Sequence, residues 1–325
     1  MERLDRFMQH AAAAYYARPG AIGGDFTTAP EISQAFGEVL GAWCAVMWDR
    51  MGRPDPVILA ECGPGRGTLM ADALRALAGV APAFRRALRL HLVETSPALR
   101  AAQRRALGEA VWHDGVASLP DGPLLLLANE FLDALPIRQF VRRGEGWMER
   151  YVEGGAFVEV ALPRGAEALP GVAPEGAILE RCEPARSLIA TLAARPRLAA
   201  LFVDYGHAGG FGDTLQAVAG HATGLDPLAG PGSRDLTAHV DFAALAEAAR
   251  EAGAAAFGPI PQGILLQRLG LATRAAMLAQ ARPRLARDIL SGAERLLAPE
   301  RMGRLFKALA VCDPALGVPP GFETA

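Results

Sequence analysis

Three alternating glycines, Gly63, Gly65 and Gly67, follow an apolar run that ends in an acid, Glu61. A helical pattern begins at Thr68, so the local order is strand, tight turn and helix. Glycines in such a turn let the backbone approach a ligand without interference from Cβ atoms. The dinucleotide fingerprint G-x-G-x-x-G needs a sixth-position glycine, which Thr68 replaces. The turn therefore fits a nucleoside ligand without a pyrophosphate, such as S-adenosylmethionine (SAM), or else it is an ordinary strand-to-helix turn.

A second acid ends the next apolar strand, where Leu90–Val93 precedes Glu94. A carboxylate at the tip of the second strand is where doubly wound folds hold ribose hydroxyls. Further along, Trp112 lies two residues before Asp114. An aromatic ring beside an acid suits a purine, because the ring stacks and the carboxylate accepts from the exocyclic amine. Core packing is the alternative for Trp112.

Polar side chains also follow the apolar run Pro123–Ala128. Such a run is typical of a strand buried on both faces of a parallel sheet. It ends in Asn129 and Glu130, with Asp133 three residues later, and Asp204 ends another buried strand. Open α/β sheets bind ligands at the carboxyl ends of their strands. We therefore expect these four polar residues to lie at one site.

Alternating strands and helices predict an α/β fold with a doubly wound, mostly parallel sheet and an added helical and insertion region. Two closing strands are predicted at Ala254–Phe257 and Ile264–Arg268, followed by helices over 270–310. The predicted organisation is an N-terminal helical and lid region at 1–55, a core at 56–269 with insertions at 137–180 and 205–240, and a C-terminal helical region at 270–325 packed on the core.

Composition excludes several classes of protein. The formal net charge of −2 gives no electrostatic footprint for nucleic acid. The four cysteines lie far apart, without the spacing of metal ligands or of a disulfide framework. No apolar run reaches the roughly 20 residues that span a bilayer. The first residues lack the apolar core of a signal peptide and the Arg-rich, acid-poor character of a transit peptide. We therefore expect a cytoplasmic bacterial protein.

Several ordered stretches extend over nearly the whole chain. They are GDFTTAPEIS (24–33), FGE (36–38), ECGPGRGTLMAD (61–72), HLVETSP (91–97), ANEFLDALP (128–136), VDYG (203–206), DTLQA (213–217), DLTAHVDF (235–242), PQG (261–263) and MGRLFK (302–307). In these stretches the chain resembles the MidA-like SAM-dependent methyltransferases, which include a mitochondrial complex I assembly-factor protein-arginine methyltransferase and bacterial homologues. Two departures, Ala29 and Leu132, stand where the family is expected to have Ser and Phe.

The resemblance implies the class I (Rossmann-like) SAM-dependent methyltransferase fold. It also implies SAM as cofactor, S-adenosyl-L-homocysteine (SAH) as product, and an arginine of a partner protein as methyl acceptor. In the mitochondrial relatives it implies a respiratory complex I subunit as that partner. The loop around residues 25–31 is implied to enclose SAM. The spacing and the resemblance together give these candidate cofactor-binding residues: Asp25, Thr27, Thr28, Glu61, Gly63, Gly65, Gly67, Thr68, Glu94, Thr95, Asp114, Asn129, Glu130 and Phe131.

Four residues are the candidate catalytic groups: Glu130, Asp133, Asp204 and His207. A sulfonium already makes its methyl group electrophilic, so no metal is required. An acceptor arginine is cationic, with a pKa above 12, and needs carboxylates that grip its fork. Glu130 and Asp133 are three apart and would share a face. His207 is the first candidate proton acceptor and His239 the second.

Alternatives stay open at this point. Asp133 would otherwise cap a helix or turn, and both histidines suit structural hydrogen bonds. The acceptor would otherwise be a small molecule or another side chain, or the chain would be a SAM-binding assembly chaperone without turnover. A nicotinamide dehydrogenase is disfavoured by Thr68. The sequence leaves the oligomeric state open.

Overall fold

The computed structural model describes residues 1–16, 27–163, 165–219 and 222–323. Its strands are β1 (Glu2–Arg3), β2 (Val57–Cys62), β3 (Leu88–Val93), β4 (Val111–His113), β5 (Leu124–Asn129), β6 (Arg138–Arg143), β7 (Gly146–Glu153), β8 (Ala156–Ala161), β9 (Ile178–Arg181), β10 (Leu198–His207), β11 (Gln216–Ala219), β12 (Ala222–Leu225), β13 (Asp235–Thr237), β14 (Val240–Asp241), β15 (Ala255–Pro261) and β16 (Phe306–Cys312). Its helices are α1 (Leu4–Tyr16), α2 (Ala29–Ile32), α3 (Gln34–Arg50), α4 (Thr68–Val80), α5 (Pro82–Ala87), α6 (Pro97–Leu107), α7 (Glu183–Ala193), α8 (Phe242–Glu251), α9 (Gln262–Arg268), α10 (Leu271–Ala281) and α11 (Ala286–Leu297).

The central sheet has the strand order β15-β16-β10-β5-β2-β3-β4, with β14 paired to the end of β10. Strands β10, β5, β2, β3 and β4 run parallel, and β16 runs antiparallel between β10 and β15. The chain moves outward from β2 to β3 and β4, then returns to β5 on the other side. This reversal places the topological switch point between β2 and β5, where doubly wound sheets bind ligands at their carboxyl ends. The predicted fold class is confirmed.

Alternating side chains of β5 fill two separate cores, one on each face of the sheet. Leu125 and Leu127 pack in one apolar cluster, and Leu124 and Leu126 pack in the other. Every residue of β2 and β5 is buried, as expected of parallel strands that are covered on both faces. On one face, α3 crosses α4 so closely that a Cβ on Gly41 would lie 2.9 Å from the Cβ of Ala73.

The N-terminal helix and the two insertions form a third packed unit near the switch point. Strands β6, β7, β8, β9 and β1 form one sheet, and β11, β12 and β13 form a smaller one. Helix α1 joins them through a shared apolar cluster that includes Met8, Ile137 and Leu236. The 205–240 insertion, which lacks sequence periodicity, therefore contains a small sheet that packs against α1.

Two predicted elements near the C-terminus were wrong. Residues 264–268 lie in helix α9, not in a strand, and residues 306–312 form β16, not part of a helix. Short apolar runs fit a buried strand and a buried helix equally well, so periodicity does not separate them. The 270–325 region consequently contributes a strand to the central sheet, between β10 and β15, and is not helical throughout. Among the described residues, no helix has the length and apolar character to cross a membrane.

Candidate active site

A cavity of about 670 Å³ lies at the carboxyl ends of the parallel strands. Many of the sequence-predicted residues line it: Thr28, Glu61, Gly63, Gly65, Thr68, Glu94, Thr95, Asp114, Asn129, Glu130, Phe131 and Asp133. Thr27, Gly67, Asp204 and His207 do not line it. Asp25 lies outside the described residues. The volume lies within the range of about 300–1,000 Å³ that is typical of ligand sites.

Each glycine of the turn after β2 has its own physical reason to lack a side chain. All three have positive φ, with values of 63° for Gly63, 53° for Gly65 and 87° for Gly67. A Cβ on Gly63 would lie 2.7 Å from the Phe131 ring, and one on Gly67 would lie 3.0 Å from Leu107. A Cβ on Gly65 would meet no atom within 4 Å. Gly65 therefore presents bare backbone to the cavity, while Gly67 holds the turn against α6.

Two buried acceptors in the lining have no hydrogen-bond partner among the described residues, Glu61 Oε2 and Asn129 Oδ1. Glu61 ends β2 and is 3% exposed, and this burial raises its pKa to about 8. A buried acceptor left unpaired is costly unless a ligand donates to it. The ammonium group of SAM can donate to such acceptors, so the residues present suit this cofactor.

Glu94, at the end of β3, is connected to the glycine turn by Gln103 of α6. The Gln103 side-chain amide donates to Gly65 O at 2.7 Å and to Glu94 Oε2 at 3.3 Å. The other Glu94 oxygen accepts from the backbone of Ser96 at 2.8 Å. Burial raises the pKa of Glu94. Gln103 is fully buried. The sequence analysis did not identify it, and the available indication of its role was a polar residue on the apolar side of α6.

Trp112 does not line the cavity, so the stacking role proposed for its ring is wrong and the core-packing alternative holds. Its indole donates to Gln103 Oε1 at 2.8 Å, and the Arg104 guanidinium lies 4.5 Å from its ring centroid. Asp114 does line the cavity, next to Val116. Trp112 thus supports Gln103 from behind, while the acid two residues later reaches the ligand space.

Glu130 connects the end of β5 to helix α2, which belongs to the predicted lid region. It has a φ of 50°, an uncommon backbone conformation for a residue with a side chain. Its Oε1 accepts from Ala29 N, at the start of α2, at 2.8 Å and from Asn129 Nδ2 at 3.0 Å. Burial raises its pKa to about 7. Beside it, Arg66 of the glycine turn donates to Glu31 of α2 at 2.9 Å. Helix α2 is thus held both by the glycine turn, through Arg66, and by the end of β5, through Glu130.

The structure gives Asp204 a different position from the one that the sequence predicted. Its side chain is 1% exposed and lies behind the loop that follows β5. Asp204 Oδ2 accepts backbone N–H groups of Phe131, Leu132 and Asp133 at 3.0, 2.9 and 3.3 Å. Burial and the neighbouring carboxylates raise its pKa. Asp204 therefore shapes the loop that carries Asp133 and does not reach the cavity itself.

Asp133 reaches the cavity together with Tyr205, which the sequence did not single out. The Tyr205 hydroxyl donates to Asp133 Oδ2 at 2.5 Å, and burial raises the pKa of Asp133 to about 6. Burial also raises the pKa of Tyr205, so its hydroxyl keeps its proton and acts as a donor. Tyr15 of α1 and Asp235 of β13 complete this end of the cavity.

Neither candidate histidine reaches the cavity. His207 Nδ1 accepts from the backbone of Gly209 at 3.2 Å, outside the lining. His239 packs edge-on against Tyr205, with ring centroids 5.5 Å apart, and burial lowers its pKa. Both positions favour the structural alternative over proton transfer.

The lining of the cavity is strongly acidic. Among its described residues, Arg66 is the one positively charged side chain. The carboxylates are Glu31, Glu61, Glu94, Asp114, Glu130, Asp133 and Asp235. Within the described part of the chain, no cluster of three or more His, Cys, Asp or Glu side chains is arranged to hold a metal ion. The electrostatics of the cavity therefore favour cationic ligands.

Comparison with known proteins agrees with this geometry. Residues 39–260 match the sequence model of a family described as "Putative S-adenosyl-L-methionine-dependent methyltransferase". The mitochondrial protein arginine methyltransferase NDUFAF7 of Mus musculus is 33% identical over 95% of this chain and 80% of its own length. Its Drosophila melanogaster homolog is 35% identical over 95% of this chain and 80% of its own length.

Two solved structures share the fold. The crystal structure of an uncharacterized protein from Burkholderia thailandensis superimposes with a TM-score of 0.83 at 30% identity, covering 99% of this chain and 88% of the other. A second structure from the same organism, with SAH bound, has a TM-score of 0.80 at 28% identity, covering 99% and 89%. The chain is thus similar along nearly its whole length to a protein that holds the demethylated cofactor.

Proposed function

The chain belongs to this family of SAM-dependent methyltransferases, and we propose that it methylates the guanidinium group of an arginine in a partner protein. The enzyme uses S-adenosyl-L-methionine and releases S-adenosyl-L-homocysteine. The acceptor is the part that we propose. The acidic lining of the cavity is the observation that carries the proposal.

The carboxylates divide between the two ends of the cavity. Glu61 is the penultimate residue of β2 and Glu94 follows β3, both beside the glycine turn that would hold the cofactor. Glu130 and Asp133 follow β5, which lies on the other side of β2 from β3 in the sheet. SAM carries one net positive charge, so the second pair of carboxylates would remain uncompensated beside it. A guanidinium offers the charge and the planar fork of donors that paired carboxylates bind.

A guanidinium must also lose a proton when it takes a methyl group. Asp133 lies in the cavity with a pKa raised to about 6, within the range in which a carboxyl group exchanges protons near neutral pH. Tyr205 donates to Asp133 Oδ2 and so fixes the orientation of this carboxylate in the cavity lining. We assign proton acceptance to Asp133, and orientation of its carboxylate to Tyr205. The protein aligns the reacting atoms and supplies an electrostatic environment that stabilises the charge that changes during methyl transfer.

The relatives named as protein arginine methyltransferases support a protein as the methyl acceptor. A respiratory complex I subunit as the partner, and the bacterial cytoplasm as the compartment, are further parts of this proposal. They rest on the sequence resemblance and on composition, respectively.

Radiolabelled methyl transfer tests the acceptor. The enzyme is incubated with tritium-methyl SAM and short Gly-Ser peptides that each carry one arginine, one lysine or one histidine, and the labelled amino acid is identified after hydrolysis. We expect methylarginine, with a loss of about 100-fold in rate for Asp133→Asn, in the range for removal of a general base. Asp121→Asn, an exposed carboxylate outside the lining, is the matched control. Label in another amino acid, or in none, would overturn the proposal.

A further inference from the structure

Residues 114–117 follow β4 and form one wall of the active-site cavity. Strand β4 has three residues and lies at the edge of the central sheet, where it pairs with β3. This pairing ends at His113, whose backbone O accepts from Glu94 N at 3.0 Å. The cavity wall therefore lies beyond the hydrogen-bond ladder of the sheet, and other contacts must hold it in place.

Three side chains connect this wall to β3, and we call them the His–His–Ser chain: His91, His113 and Ser118. His91 lies on β3, and its Nδ1 is 2.8 Å from His113 Nε2. His113 Nδ1 is 3.1 Å from Ser118 Oγ. The Ser118 hydroxyl is 2.8 Å from the carbonyl oxygen of Gly115, which belongs to the wall. The chain thus runs from a central-sheet strand to the middle of the cavity wall.

One placement of the hydrogens makes all three contacts hydrogen bonds. The Gly115 carbonyl can only accept, so the Ser118 hydroxyl donates its single proton to it. Ser118 Oγ then accepts from His113 Nδ1–H. The bare Nε2 of His113 accepts in turn from His91 Nδ1–H. The contacts therefore assign the same state to both imidazoles, which are neutral and protonated at Nδ1.

The surroundings of the two rings favour this neutral state. His91 is 7% exposed, and burial together with the neighbouring His113 lowers its pKa. Burial also lowers the pKa of His113, and Arg100 adds to this effect while Asp114 opposes it. The ordinary histidine pKa is about 6.5, so both rings are neutral at pH 7.5. A second proton on His113 would point at the N–H of His91 and would break the chain.

Arg100 of α6 makes a further contact with the wall. Its guanidinium donates to Asp114 Oδ1 and to Glu94 O, each at 2.6 Å. The Asp114 side chain is 87% exposed, and ion pairs in such surroundings contribute little to stability. The His–His–Ser chain starts from a buried residue and reaches a backbone carbonyl, so it is the firmer of the two attachments.

We propose that His91, His113 and Ser118 are positioning residues of the cofactor site, which hold the 114–117 wall in place against the space that SAM or SAH would occupy. A wall that is ordered before binding spares the ligand the entropy cost of ordering it. Without the chain, this segment would be mobile in the free enzyme and would have to be ordered by the cofactor. The inference concerns the cofactor alone and does not depend on the identity of the methyl acceptor.

Removing the Ser118 hydroxyl tests the proposal with little risk to folding, because this residue is exposed. Calorimetric titration of Ser118→Ala should show about three- to tenfold weaker SAH binding, the value of one neutral hydrogen bond. Amide hydrogen exchange of residues 115–119 should be faster in the SAH-free variant. Ser118→Thr keeps the hydroxyl and should restore both properties. Ser291→Ala, at an exposed position of α11 outside the lining, is the matched control.

A double-mutant cycle tests whether the residues act through one chain. His113→Phe should also weaken SAH binding. Adding Ser118→Ala to His113→Phe should then weaken it by less than Ser118→Ala does in the wild-type enzyme, because residues of one hydrogen-bonded network are not additive. Fully additive losses would contradict a continuous chain.

Nuclear magnetic resonance tests the proton arrangement in the wild-type enzyme. Two-bond proton–nitrogen spectra of histidine-labelled protein at pH 7.5 should show His91 and His113 protonated at Nδ1, whereas free neutral histidine is mostly protonated at Nε2. Wild-type SAH affinity in Ser118→Ala, an equal loss in Ser118→Thr, or an Nε2-protonated His113 would overturn the inference. Because none of these measurements uses a methyl acceptor, label in an amino acid other than arginine would refute the proposed acceptor and leave this inference intact.

Discussion

Replacing Gly65 by alanine should separate cofactor binding from folding. Gly65 has a φ of 53°, and an added Cβ would meet no protein atom within 4 Å. The packing of the protein is therefore unaffected, and the left-handed backbone alone costs about 1–2 kcal/mol in unfolding free energy. Because Gly65 lines the cavity, the added carbon would occupy ligand space. A cofactor packed on this backbone would have to retreat by about 1.5 Å, the length of a carbon–carbon bond.

We expect Gly65→Ala to weaken SAH binding by at least about tenfold, equal to 1.4 kcal/mol. Gly270→Ala is the matched control, since Gly270 also has a left-handed backbone (φ 82°, ψ 24°) with open space around its Cβ and lies outside the lining. Denaturant unfolding should show similar losses of stability for both variants. Calorimetric titration with SAH should show a loss of affinity for Gly65→Ala alone. Normal SAH affinity in Gly65→Ala, or equal losses in both variants, would refute the placement of the cofactor.

Three further substitutions test the roles assigned to the buried polar groups. Burial raises the pKa of Glu61 to about 8, and the ammonium group of bound SAH favours its ionised form. SAH binding at pH 7 should therefore release a proton, and affinity should rise by up to tenfold per pH unit from pH 6 towards 8. Glu61→Gln should abolish this release, measured by calorimetry in buffers of different ionisation enthalpy; unchanged release would contradict the assignment. Asp204→Asn should lower the unfolding free energy by about 1–3 kcal/mol, since it disturbs an acceptor of three buried N–H groups. Unchanged stability of this variant in urea unfolding would argue against Asp204 as the residue that holds the loop after β5. Tyr205→Phe should slow methyl transfer about 10–100-fold, the value of a hydrogen bond to a charged group, with SAH affinity unchanged; a normal rate would exclude an orienting role towards Asp133.

The sequence predicted the parts of the site that lie close together along the chain. The glycine turn, Glu61, Glu94 and the Asn129–Asp133 segment all lie at or just after the carboxyl ends of apolar strands. Parallel strands bring these ends to one edge of the sheet. Helix α8 begins directly after Asp241, which caps it by accepting two backbone N–H groups, and an acid before an apolar periodic run is a start signal that the sequence itself carries. Local chemistry was sufficient in these cases.

Residues positioned by tertiary packing could not be predicted in the same way. The predicted position of Asp204 at the end of a buried strand did not show whether its side chain faces the cavity or the protein interior, and β10 in fact continues to His207. Successive strand residues point to opposite faces, so the alternation of Asp204 and Tyr205 was the available signal that one of them alone would reach the ligand. Tyr15 comes from α1, whose place beside β13 depends on the packing of residues far apart in sequence.

Strand β16 was missed for a related reason. Its residues Ala308–Cys312 are fully buried between β10 and β15. A short apolar run carries no helical or strand periodicity when every side chain is buried. Its assignment depended on the neighbouring strands that receive it, and these lie about 50 and 100 residues earlier in the chain.

Affinity for a guanidinium is the most direct test of the acidic acceptor site. Two otherwise identical peptides, one with arginine and one with its uncharged isostere citrulline, are titrated into the SAH-saturated enzyme and into Asp133→Asn at pH 7.5. If Glu130 and Asp133 bind the guanidinium, the arginine peptide should bind at least about tenfold more tightly than the citrulline peptide, since a hydrogen bond to a charged group is worth about 1.5–3 kcal/mol. Asp133→Asn should lose most of this preference. Equal affinity of the two peptides for the wild-type enzyme would contradict a guanidinium acceptor.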